Sequence, residues 1–117
     1  MLNQSCRVVR AAALPDDQLP PDPLDPDLVV RGDPQVRTTE LTEDAAVAVG
    51  IWQHSPGVSR DLEADEVFVV LSGRATIEVA DGPRLEVGPG DVGMLAAGSR
   101  TVWTVHETLR KVYVVRG

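Results

Sequence analysis

The sequence predicts an all-β domain, a small sandwich or barrel, preceded by an extended arm. From Leu28 onward, short runs rich in Val, Ile and Thr alternate with Gly, Pro and Asp turns. The turns recur at about the eight-to-twelve-residue spacing of sandwiches and barrels. No window of ten residues keeps a 3.6-residue apolar period, so helices are not expected to build the core. With 117 residues the chain has room for one modest core and not for two.

The elements follow from the punctuation. Residues 1–28 form the arm and 29–117 the domain. The stretch Pro15–Asp27 contains five prolines and five aspartates. The prolines remove backbone donors and the aspartates repel one another, so neither helix nor strand is favoured. An extended surface segment results, either a mobile leader or a contributor to subunit contacts. Strands are predicted at Val36–Leu41, Ala45–His54, Glu66–Leu71, Arg74–Ala80, Arg84–Val87, Asp91–Leu95, Arg100–Val105 and Leu109–Val115. Asp81–Gly82 marks a hairpin, and Ser72–Gly73 and Gly88–Pro89–Gly90 mark further tight connections. Val67–Leu71 is apolar at every position, which fits a strand covered on both faces, by a second sheet or by another subunit.

Charge and composition exclude several functions. The net charge is −7, and without the five arm aspartates the remainder carries −2. With no run of Lys or Arg, nucleic acid is not an expected partner. No apolar stretch approaches the roughly 20 residues of a membrane span. Ala11–Leu14 is too short for a signal-peptide core, and the single Cys6 forms no internal disulfide, so a cytoplasmic setting is expected. No G-x-S-x-G, phosphate-binding Gly loop or C-x-x-C occurs. Only four residues are aromatic, Trp52, Phe68, Trp103 and Tyr113.

The order of turns is more specific. Gly57 precedes Glu66 by nine residues, EVFVVLSG runs from Glu66 to Gly73, and GPGDVGMLAAGS follows from Gly88 to Ser99. This resembles the two signatures of the cupin superfamily, G-x5-H-x-H-x3,4-E-x6-G and G-x5-P-x-G-x2-H-x3-N. Gly32-Asp33-Pro34, Val49-Gly50-Ile51-Trp52, Asp65 to Gly73, and Trp103 with Glu107 to Tyr113 resemble the small cupins grouped with the (S)-ureidoglycine aminohydrolase cupin domain. The resemblance spans about Val29 to Val115. It implies an RmlC-like jelly-roll β-barrel and a homodimer.

The resemblance also implies a metal site of two His and a Glu from the first signature and a His from the second. Here the first two His positions fall on Arg60 and Leu62, or on Ser59 and Asp61 with the longer spacer, and the last falls on Thr101. Ala96 replaces the proline, and only Glu66 remains in register. One carboxylate does not hold a transition metal. No cofactor is therefore expected. The alternative is manganese, iron or zinc held by Glu66 with His54 and His106 as relocated ligands, against a plain reading of both histidines as loop-edge residues.

The expected ligand pocket consists of Trp52, Arg60, Leu62, Phe68, Met94, Thr101 and Trp103, with Glu66 as its candidate acid or base. Phe68 shares a face with Glu66, and Trp103 with Thr101, by strand alternation. An inward Arg60 would pair with Glu66 and keep it charged. The plain alternatives are a structural carboxylate, aromatics that merely fill the barrel, and Met94 as core filler. Arg110 and Lys111 point to opposite faces, so one can reach the pocket, unless both are solvated charges guarding a strand edge. Three functions remain. The first is a metal-free cupin binding a small organic molecule such as an amino- or ureido-acid. The second is an enzyme related to ureidoglycine aminohydrolase, with non-standard metal ligands or metal-free acid–base chemistry. The third is a non-catalytic accessory protein.

Overall fold

A computed structural model describes residues 5–43 and 46–116, with the Glu43 side chain left aside. The predicted strand start at Ala45 lies outside the described residues. Eight strands follow one another as β1 (Val29–Arg31), β2 (Val36–Glu43), β3 (Val47–His54), β4 (Gly57–Leu62), β5 (Asp65–Val79), β6 (Arg84–Val87), β7 (Val92–Leu95) and β8 (Arg100–Arg116). The only helical elements among the described residues are three single 3-10 turns, Ala11–Ala13, Asp16–Gln18 and Pro26–Leu28. No described helix is long and apolar enough to cross a membrane.

Two long strands organise everything else. β5 and β8 pair antiparallel from Asp65↔Arg116 to Val79↔Thr101. Beside β8, the half near its C-terminus carries β3 and then β2, and the half near its N-terminus carries β4 and then β1. Beside β5, β7 pairs with the first half and β6 with the second. The register slips between Val70 and Ala75, where the ribbon creases. Gly73 makes the crease possible. It sits at φ +87°, and a Cβ there would lie 2.0 Å from the Thr108 carbonyl oxygen, so only glycine fits. Ser72–Gly73 is therefore a fold within one strand, not the turn between two strands that its sequence suggests. Val105 and Leu109 face the same core on either side of the matching irregularity in β8, which likewise joins two predicted strands into one.

The crease turns two half-sheets face to face, as in a jelly roll. Their inner faces bury Phe68, Val70, Ala75, Ile77, Leu95, Trp103, Val105 and Leu109, with Trp52 and Tyr113 packed alongside. Gly93 lies opposite Phe68 in the ladder, and its missing Cβ leaves room for the Phe68 ring. The Asp81–Gly82 hairpin forms as expected, with Asp81 at φ 58°.

The arm is bound along the sheet. The Arg110 guanidinium donates to the carbonyls of Ala11 and Leu14 and pairs with Asp16 at 3.0 Å. Arg37 donates to the carbonyls of Asp16 and Leu19, and Leu19 is fully buried. The proline-rich composition confines the arm to single 3-10 turns and extended chain, whose carbonyls accept these bonds.

Candidate functional site

The site grows from the inner face of the creased sheet. β4 has a weak strand signal in its sequence, GVSRDL, yet it pairs with β8 from Gly57↔Val105 to Leu62↔Arg100. Alternation then sorts its residues. Ser59 faces inward, buried against His54, and Asp61 shares its face. Arg60 and Leu62 point outward, both exposed. The inward residues at the two His positions are thus Ser59 and Asp61, the longer-spacer reading. Arg60 makes no pair with Glu66.

Lys111 takes that place. Its side chain is 6% exposed, and its Nζ donates to Glu66 Oε2 at 2.5 Å, with Glu66 itself 10% exposed. The ammonium also lies 4.5 Å from the ring centroid of Trp52 and 4.7 Å from those of Phe68 and Trp103. Burying an ammonium costs several kcal/mol, on the order of 3–5 if its partner is lost. Here one carboxylate and three π faces offset that cost. The edge-on contact of Trp103 with Trp52 and its tilted contact with Phe68, at 5.5 and 5.8 Å between centroids, fix the rings that enclose it.

Polar groups line the adjoining walls. Glu63 accepts hydrogen bonds from Thr101 Oγ1 at 2.6 Å and from the Trp103 indole N–H at 3.0 Å. His54 is fully buried, with Nδ1 2.6 Å from the Ser55 carbonyl and Nε2 2.9 Å from Ser59 Oγ. A carbonyl only accepts, so Nδ1 carries the proton and Nε2 accepts from the Ser59 hydroxyl. Burial lowers the His54 pKa, the bond to Ser55 opposes this, and the charge of Lys111 adds to it. The ring is therefore neutral. Asp61 keeps an open side to solvent. Even so, the protein packed around its carboxyl pushes its pKa up to about 6, and the charge of Glu63 and, less, of Glu66 adds to the shift. Such a carboxyl exchanges its proton near neutral pH.

The expected pocket divides into three places. Trp52, Phe68, Trp103 and Glu66 meet around Lys111, and Thr101 joins them through Glu63. Arg60 and Leu62 point outward and line a cavity that Asp61 and Thr101 also border. Met94 is 72% exposed on the outer face of β7, so it is neither pocket nor core. The conditional metal set does not assemble. His54 faces inward, whereas His106 is exposed and bonds Thr76 Oγ1 at 2.9 Å, beside Glu86 on the outside. Among the described residues no three His, Cys, Asp or Glu side chains gather as metal ligands. Ser59, Asp61, Glu66 and Thr101, with an ammonium already on Glu66, do not fit a transition-metal centre.

Sequence reasoning missed Glu63 and undervalued Lys111. Both signals were positional. Glu63 lies two residues beyond inward Asp61, and Lys111 lies between inward Leu109 and Tyr113 on β8.

Residues 41–113 match the family of EutQ-like cupin domains. The chain belongs to this cupin family. The solved structures agree on the fold. The EutQ protein of Clostridium difficile is 22% identical with a TM-score of 0.64, covering 71% of this chain and 68% of its own. A putative ethanolamine utilization protein Q from Salmonella typhimurium is 24% identical, TM-score 0.62, with coverages of 70% and 69%. A protein of unknown function from Pseudomonas syringae pv. tomato is 30% identical, TM-score 0.74, covering 83% of this chain, which spans only 43% of that one. No curated protein matches. Within this EutQ-like cupin, the signature carboxylate Glu66 is engaged by a lysine of the same chain.

Proposed function

We propose that this cupin is a metal-independent binding protein for a small amino- or ureido-acid, built on the Lys111–Glu66 pair. The carrying observation is the buried ammonium, held by Glu66 and faced by three aromatic rings. An ammonium has three donors, and Glu66 takes one of them. A ligand carboxylate complements the remaining Lys111 donors. A ligand amino or ureido N–H complements Glu66 and Asp61, which only accept when ionised. Half-buried Trp52 offers an apolar wall on the same side. The lone, exposed Cys6 is in keeping with a cytoplasmic setting.

A second reading, metal-free acid–base catalysis, draws on Asp61, whose pKa of about 6 suits proton exchange near neutrality. A metal-dependent aminohydrolase of the ureidoglycine type draws no support from the site, because His54 and His106 lie apart. The ethanolamine-utilization name belongs to a neighbour whose likeness carries the fold alone.

We further propose a homodimer through the outer face of β7, β5 and β8. Val67 pairs with Met94 and Val114, and Val69 with Val92 and Val112, in two apolar rows. Val67, Val69, Val92, Met94 and Val114 are 45, 38, 59, 72 and 42% exposed. A contiguous apolar face of this kind marks an interaction surface, and a second copy offers a matching face across a two-fold axis.

Elemental analysis of untagged protein, followed by thermal-shift titration with glycine, alanine and N-carbamoylglycine, tests the ligand reading. Expected are no bound transition metal and a concentration-dependent stabilisation that disappears in Lys111→Gln. Near-stoichiometric metal, or equal stabilisation of wild type and variant, overturns it.

A further inference from the structure

A cavity opens at the end of the sheet where β4, β5 and β8 meet. It has a volume of about 470 Å³ and is lined by β4, β8, the end of β5 and Leu28 of the last 3-10 turn. The strand registers place its walls. Arg60, Val102 and Glu78 form one cross-strand row, with Leu62 and Arg100 in the next. These residues point away from inward Ser59, Ile77 and Trp103 by alternation, while Asp61, Val79 and Thr101 border the cavity from the inward face.

Its chemistry is mixed in an informative way. Leu28, Leu62, Val79, Ala80 and Val102 make most of the lining apolar. Arg60 and Arg100 are diagonal neighbours on adjacent strands, a spacing of about 7–8 Å that long side chains bridge. Neither guanidinium makes an ion pair or side-chain hydrogen bond among the described residues, whereas Arg37, Arg74, Arg84, Arg110 and Arg116 all do. Glu78 and Asp61 also border the cavity, yet neither closes on an arginine. Two free guanidiniums at the rim of an apolar hollow complement an anionic head on an apolar body.

We infer that this cavity is a second ligand site, for a small carboxylic acid with an apolar body. The carboxylate bridges Arg60 and Arg100, and the body packs on Leu28, Leu62 and Val102. Glu78 and Asp61 repel a second negative charge, which disfavours dicarboxylates. The site borders the interior through Asp61 and Thr101 but uses none of the groups that hold Lys111.

The test is calorimetric titration of wild-type protein with hexanoate, hexanol, hexylamine and adipate. Hexanoate is expected to bind, and the alcohol, the amine and the dicarboxylate to bind at least tenfold more weakly. The double variant Arg60→Gln with Arg100→Gln should lose about tenfold or more in hexanoate affinity, as expected for removing charge-assisted bonds. Both residues are exposed, so an unchanged melting temperature verifies folding. Equal binding of hexanol and hexanoate, or undiminished hexanoate binding by the double variant, overturns the inference.

Discussion

Replacing Glu66 by Gln tests whether Lys111 organises the interior. The change keeps shape and removes one charge. Were Glu66 a lone pocket carboxylate, the variant would fold almost as well as wild type. The structure makes the opposite demand, because the lysine whose ammonium it holds at 2.5 Å has a side chain only 6% exposed. Breaking a buried pair by removing one partner costs about 3–5 kcal/mol. The ring faces of Trp52, Phe68 and Trp103 remain to hold the cation, with contacts worth up to about 2 kcal/mol when desolvated, so the loss should fall near about 3 kcal/mol. With a urea slope of about 1.5 kcal/mol/M, the midpoint drops by roughly 2 M. Indole emission from Trp52 and Trp103, both beside the ammonium, follows the transition. Replacing both partners, Glu66→Leu with Lys111→Met, should restore stability to within about 1 kcal/mol of wild type or better, because no buried charge is left. A loss below about 1 kcal/mol in Glu66→Gln is the range of exposed pairs. It would mean that the ammonium reaches water, and the reasoning would fail.

Two other outcomes follow from the same structure. Asp61 has a raised pKa of about 6 in the fold against 3.8 unfolded, so the folded state binds its proton more tightly. The contribution is full below pH 3.8 and is lost as pH rises through about 6. Asp61→Asn should therefore gain stability relative to wild type on going from pH 4 to pH 7.5, read from urea midpoints. His54, lowered in the fold, acts oppositely in both proteins and cancels in that comparison. A constant difference between the two proteins across that range would refute the Asp61 assignment. On the outer face, Val69→Asp should convert a dimer to a monomer in sedimentation analysis while leaving the interior site intact. A wild-type monomer at tens of micromolar, or a dimeric variant, would remove the β7–β5–β8 face as the subunit contact.

The fold was legible because a two-residue period and turn chemistry act locally. The Asp81–Gly82 hairpin, β2, β6 and β7 rest on neighbours in sequence. Ser72–Gly73 was misread because a tight turn and a crease both ask for a glycine at positive φ, and only the close approach of Thr108 decides between them. The site was less legible for a physical reason. β4 carries Ser59 and Asp61 where a core strand would carry apolar residues, so lining the interior with polar groups erased the alternation that announces a strand. Lys111 looked like a solvated edge charge because its partner, Glu66, is 45 residues away in sequence. Arg110 beside it looked the same, and is buried for an unrelated purpose, clamping the arm. Charge on a strand is thus ambiguous until its cross-sheet partner is known. A strand with strong pairing and polar inward residues, as β4 is with Ser59 and Asp61, brings polar walls to the interior that alternation alone does not announce.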